Sequence, residues 1–159
     1  MEFTRRGFNL AGLTALGAIA IDPAGAAEAA VNRRIVLASR PVGEPTLANF
    51  RLEQGQVPEA GEGQVLLRTR FLSLDPYMRG RMSAAQSYAE NVPVGEVMVG
   101  GTVSEVVSSR NSGFTEGDLV TAYAGWQDYA LSDGRDLIKI DPRISRPSYA
   151  LGVLGMPGL

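Results

Sequence analysis

The chain has 159 residues, 45% of them hydrophobic, and its 15 Lys and Arg against 17 Asp and Glu leave a net charge of -2. That length suits one domain and excludes a large two-domain enzyme, while the charge balance leaves no positive excess to hold a nucleic-acid backbone. The sequence contains neither cysteine nor histidine, which removes disulfides, thiolate or imidazole zinc sites, Ser-His-Asp and Cys-His triads and histidine proton transfer near neutral pH.

At the N-terminus, Arg5 and Arg6 precede a weakly apolar run over 11–21, too short for the ~20 residues of a membrane span, so it is read as no membrane anchor. Ala24-Gly25-Ala26 and Ala27-Glu28-Ala29 then offer the small-x-small pattern that a signal peptidase accepts. Residues 1–30 are therefore similar to a twin-arginine export signal, a route for already folded proteins. This predicts a periplasmic protein whose mature chain starts near Ala27 or Ala30. An ordinary N-terminal helix behind two solvated arginines is the alternative and predicts a cytoplasmic one.

Beyond the signal the pattern is that of short strands between turn residues. Strands are predicted over 33–39, 50–53 and 65–74, where the last follows the polar turn Pro58-Glu59-Ala60-Gly61-Glu62-Gly63. In it Leu66, Arg68, Arg70 and Leu72 alternate with Val65, Leu67, Thr69 and Phe71, one mixed face and one mostly apolar. Residues 97–108 read as a bent strand, with Gly100-Gly101 marking a bulge or a close backbone approach. Further strands are predicted over 118–124, 127–131 and 137–140. Only 76–82 and 148–154 look helical, the second with Ser145 or Ser148 as N-cap and Tyr149, Leu151, Val153 and Leu154 as its apolar positions. The body is mainly β, a small barrel or sandwich with short helices.

Ser73-Leu74-Asp75-Pro76-Tyr77-Met78-Arg79-Gly80-Arg81-Met82 leaves the strongest strand and enters a Pro-initiated turn, the kind of strand end at which a scaffold presents side chains to a ligand. It is followed by Val97-Met98-Val99-Gly100-Gly101-Thr102-Val103, by Gly125-Trp126-Gln127-Asp128-Tyr129 and by Leu151-Gly152-Val153-Leu154-Gly155-Met156-Pro157-Gly158-Leu159. In this order the four strings resemble the N-terminal domain of the zinc-independent medium-chain reductases, in the branch of NADPH-dependent curcumin reductases and prostaglandin reductases. The resemblance runs from about Asn32 to the last residue.

What the resemblance implies is a GroES-like, partly open β-barrel followed by a Rossmann domain holding NADPH, with no zinc. It also implies reduction of the C=C bond of small apolar enones or 2-alkenals, and a homodimer for the full-length protein. On this basis 31–148 is the substrate-side domain and 149–159 begins a helix leading to the dinucleotide-binding domain. No G-x-G-x-x-G-like loop occurs between a strand and a helix in this sequence. The chain alone is accordingly expected to bind no NADPH, to be inactive, and to leave its barrel with unpaired edges. A standalone exported binding module or a decayed gene product is the alternative.

By resemblance Tyr77 stands at the nicotinamide-facing mouth of the barrel, where a neutral phenol hydroxyl suits donation to a substrate carbonyl. Tyr88 would line the same cleft, and Met78 would pack against apolar substrates; a core tyrosine, a loop tyrosine and a core gap-filler are the plainer readings of these three. Asp75 and Pro76 are read as support, Asp75 as an Asx-type cap for the turn. Arg79 and Arg81 either attract an anionic substrate or cofactor phosphates, or are solvated. Trp126 and Tyr129 are expected to fill the barrel.

Overall fold

The structure is a computed structural model that describes residues 30–85 and 89–158. The segment read as an export signal, except Ala30, and Tyr88 lie outside those residues.

Seven strands carry the fold among the described residues: β1 (Val31–Leu37), β2 (Phe50–Gln56), β3 (Val65–Leu72), β4 (Thr102–Ser109), β5 (Leu119–Ala122), β6 (Tyr129–Ser132) and β7 (Ile138–Lys139). One short helix, α1 (Tyr77–Arg81), follows β3. A five-stranded sheet has the order β6-β3-β4-β5-β7, and β1 and β2 form a separate ribbon. Every strand pair is antiparallel. The edges at β6 and β7 do not meet, and the result is the mainly β, partly open barrel expected from the sequence.

The alternation in β3 is only half realised. Val65, Leu66 and Leu67 are all buried, whereas Arg68, Arg70, Phe71 and Leu72 are exposed. The difference follows from pairing: β6 runs beside β3 only from Val65 to Arg68, so the later half of the strand lacks that neighbour. Register shifts against β4 fall at Leu66/Leu67 and Thr69/Phe71, where bulges bend the strand.

The ribbon is sewn to the sheet by main-chain bonds outside the strand ladders. Ile35 donates to the Trp126 carbonyl at 2.9 Å, Met98 to the Ile35 carbonyl at 3.0 Å and Asp128 to the Arg33 carbonyl at 3.0 Å. The buried Asn32 side chain extends the seam by acting as one more rung. Its Nδ2 donates to the Tyr129 carbonyl at 3.0 Å and its Oδ1 accepts the Tyr129 amide at 2.9 Å. Arg33 and Asp128 close the same seam on the outside with an ion pair at 2.6 Å.

Two packed clusters result. One lies within the sheet and joins Val65, Leu67, Val106, Val120 and Ala122; the other lies beneath α1 and joins Leu37, Met78, Met82, Val92 and Met98. Two glycines permit the second. A Cβ on Gly100 would sit 2.8 Å from Leu72 Cδ1 and 3.1 Å from Trp126 Cδ1, so the close approach is at Gly100 and comes from side chains, whereas a Cβ on Gly101 would meet only Leu151 Cδ2 at 3.7 Å; β4 starts just after the pair. Gly125 has φ +75° and a Cβ there would lie 2.7 Å from the Met98 carbonyl oxygen, a conformation and a contact that a side chain would strain.

Several boundaries differ from the expected ones. Gln127 pairs only as an isolated bridge with Arg34, its amide donating to the Gly125 carbonyl at 2.9 Å and its Nε2 to the Ala124 carbonyl at 2.7 Å, so β6 begins two residues later than predicted. The helix expected over 148–154 is a 3-10 turn, Pro147–Ala150, followed by further turns. Arg146 occupies the N-cap position without a side-chain bond, and neither Ser145 nor Ser148 does so. Gly152 and Gly155 are the physical reason for the short run: each costs about 1 kcal/mol against alanine inside a helix.

Candidate functional site

The corner after β3 is held before any ligand arrives. Ser73 donates its amide to the Gly101 carbonyl at 2.9 Å, which keeps the outgoing chain beside the start of β4. Its hydroxyl then donates to Asp75 Oδ1 at 2.9 Å. Pro76, with φ -57°, stands at the N-cap of α1, a position for which its ring is pre-set. The Asx-type cap predicted for Asp75 is not what forms: its carbonyl, not its carboxylate, accepts the Met78 amide at 3.1 Å, because the carboxylate is engaged by Ser73. Asp75 and Pro76 thus shape the turn through main chain and ring. At the other end Arg40 Nη1 donates to the Met82 and Ser83 carbonyls at 2.9 and 2.8 Å, closing the helix with a cation where the helix dipole favours one.

This framing divides the residues of α1 between different surroundings. Met78 is 3% exposed and belongs to the packed cluster below, and it does not line the cleft. Arg79 turns away and donates from Nε and Nη2 to the Gly43 carbonyl at 3.2 and 2.8 Å. Tyr77 and Arg81, four residues apart and therefore on one helix face, both line a cleft of about 690 Å³. That volume is within the range of small-molecule sites.

The cleft has three further walls. Val99 and Gly101 line it just before β4; Thr121, Ala122, Tyr123, Asp136 and Ile138 line it from β5, β7 and the chain beside them; Ala150, Leu151, Leu154, Gly155, Met156 and Pro157 line it from the last turns. The apolar positions expected of a terminal helix are thus partly spent on this lining. Tyr123 is 81% exposed at the edge of the cleft, and nothing in its local pattern singled it out. Trp126 stacks on Phe50, ring centroids 5.6 Å apart and planes at 23°, and packs against the cluster under α1. Tyr129 joins neither cluster and lies under the Arg68 guanidinium, 6.0 Å from its ring centre.

Among the described residues no group of three or more His, Cys, Asp or Glu could hold a metal ion, and no helix is long and apolar enough to cross a membrane. Both sheets are antiparallel throughout. The described residues therefore form no parallel βαβ unit, and they do not fit the dinucleotide half of a nicotinamide cofactor.

An open antiparallel barrel with a ligand-sized cleft at a strand-to-helix corner has a counterpart among known families. The family described as the N-terminal domain of oxidoreductase matches residues 33–140, and the chain belongs to it.

Within that family the chain is 61% identical, over 127 residues, to the NADPH-dependent curcumin reductase of Escherichia coli (strain K12), covering 80% of this chain and 37% of the relative. It is 43% identical over 120 residues to prostaglandin reductase 1 of Mus musculus, covering 74% and 34%. The crystal structure of CurA from Vibrio vulnificus superposes with a TM-score of 0.77 at 63% identity, over 80% of this chain and 38% of that one. CurA in complex with NADPH from the same organism gives 0.75 at 59% identity, over 79% and 37%. The chain thus spans little more than a third of the length of these relatives.

Proposed function

We propose that this chain is the substrate-side part of an NADPH-dependent oxidoreductase that reduces the C=C bond of small apolar α,β-unsaturated carbonyl compounds. The observation that carries the reading is Tyr77, fixed by the Pro76 corner in the wall of a cleft of about 690 Å³. Its hydroxyl serves as the donor to the substrate carbonyl, lowering the cost of charge that develops on that oxygen. Val99, Leu151 and Leu154 supply apolar walls that hold the substrate and exclude water around the reacting bond. With no thiolate or imidazole in the sequence, hydrogen-bond donors are the groups this chain offers for polarising a carbonyl, and the reading is zinc-independent. NADPH supplies hydride chemistry when bound; this chain's described residues grip and orient the substrate. By itself the 159-residue chain turns over no enone.

The test is a chimera in which residues 31–159 replace the matching part of the Escherichia coli reductase. Enone-dependent oxidation of NADPH is expected, and Tyr77→Phe is expected to lower its rate about 10²-fold with unchanged NADPH affinity. A chimera that binds NADPH yet reduces no enone overturns the reading. Cell fractionation tests export in the same way, since native protein confined to the cytoplasm would exclude it.

A further inference from the structure

Among the described residues, seven arginines sit in ion pairs with carboxylates. Arg40 and Arg79 donate to main-chain carbonyls, and Arg68 lies over Tyr129. Arg81 differs from all of these. It is half buried in the wall of the cleft, it takes part in none of those ion pairs, and its Nε is buried without a hydrogen-bond partner, a lack that Arg34 Nε shares although Arg34 Nη2 is paired with Glu53. A charged side chain with an unsatisfied donor is costly to keep, and Arg81 lines the cleft, where a bound molecule can meet the side chain.

Its neighbours narrow the chemistry of that molecule. Tyr77 shares its helix face, four residues earlier, and lines the same cleft. The carboxylates that line the cleft are Asp75 and Asp136. Asp75 accepts the Ser73 hydroxyl, and Asp136 is exposed, where solvent and salt screen it. With its carboxylates engaged or screened, the cleft leaves its donors to a ligand oxygen. A neutral carbonyl accepts a guanidinium donor more strongly as its oxygen gains charge.

We infer that Arg81 is a second donor to the substrate's carbonyl oxygen, beside Tyr77, so that this corner binds neutral carbonyl compounds whose oxygen becomes anionic. The identity of that carbonyl as an enone rests on the function proposed above; the donor pair does not. A guanidinium presents its donors in a rigid planar fork, and its pull on the oxygen strengthens with the charge it meets. A neutral phenol and a charged guanidinium one helical turn apart also divide the work: one orients the carbonyl, the other stabilises the oxyanion.

The experiment uses the 159-residue chain and 4-nitrophenol, whose phenolate oxygen on a planar carbon resembles an enolate and whose absorbance reports its own ionisation. The bound probe is expected to ionise about one pH unit or more lower on the wild type than on Arg81→Gln. Arg81→Lys should fall between them, and Tyr77→Phe should produce a separate, smaller rise. The same bound ionisation in wild type and in an Arg81→Gln variant that melts at the wild-type temperature overturns the inference. So does failure of the wild type to bind the probe. Benzoate binding more tightly than the phenolate, with only the benzoate lost in Arg81→Gln, also overturns it, since Arg81 would then be reading a carboxylate. Where Arg81→Gln fails to fold, Arg81→Lys decides, because a lone ammonium lacks the guanidinium fork and a probe unshifted from the wild type would exclude that donor. A chimera that reduces no enone while the probe shifts as expected counts against the reductase reading alone.

Discussion

The two packed clusters are made of different materials. In the sheet cluster, Val65, Leu67, Val106 and Val120 stand on neighbouring antiparallel strands, and regular pairing fixes where each side chain goes. Beneath α1, three of the five buried members, Met78, Met82 and Met98, are methionines, and they come from a short helix, its end and a stretch outside the strands. Branched side chains on a ladder fill a defined space, whereas unbranched thioethers adapt to an irregular one. The adaptable cluster carries Tyr77, which lines the cleft, although none of its five buried members does so, and the sheet cluster reaches the cleft through Ala122. The comparison teaches that one wall of the cleft rests on a regular ladder and the Tyr77 corner on packing that can adjust.

The strongest way to break this contrast is to remove volume from each side. Leu67→Ala is expected to cost about 2–5 kcal/mol in chemical denaturation, and Met98→Ala to fall at the lower end of that range because its unbranched neighbours collapse into the space. Equal losses would mean that the methionine cluster is as rigid as the sheet. The next effect lies at the seam. Gly125→Ala forces a Cβ toward the Met98 carbonyl at a positive φ and should cost about 1–3 kcal/mol, with Trp126 fluorescence altered before the strand signal. Asn32→Leu sharpens the same point, because it leaves the Tyr129 amide and carbonyl without their side-chain partner, and a loss of about 1–2 kcal/mol is expected from the melting curve.

The smallest effect is electrostatic. The guanidinium of Arg51 beside Glu53, and the ammonium of Lys139 with the Thr115 amide beside Asp118, hold these two carboxyls below the ordinary carboxylate range. A lowered folded value means that their contribution is complete above the unfolded value of about 4 and is lost as the pH falls further through the folded values. The melting temperature should therefore decline below about pH 4, and Lys139→Met, which removes the ion pair at 2.8 Å, should make that decline shallower while leaving the methionine cluster untouched.

How much of this was legible depended on how locally each feature is written. The centres of β3 and β4 could be read because β-branched and apolar residues recur along each run and turn residues bound them. The glycine pair at 100 and 101 could be read as a close approach, although not what approaches it. The ends were harder: the terminal helix was misjudged because apolar spacing outweighed two glycines and the prolines around them. The cleft was legible only at its Pro76 corner. Its other walls come from residues 121–123, 136–138 and 150–157, which meet through strand order and not through any local pattern. Arg79 and Arg81 looked alike in the sequence; helix geometry separates them by their different faces, and only the packed structure shows which one turns inward.

The rung that Asn32 adds between the ribbon and the sheet has a consequence in time. The two residues it joins are 97 positions apart. At the ~5–20 residues per second of translation, β1 is made roughly 5–20 s before Tyr129 exists to meet it. β2 follows β1 closely and can cover one of its sides, but the other side has to wait. During that interval the Asn32 edge of β1 lacks its Tyr129 partner, and Asn32 cannot be buried in this seam before Tyr129 is made.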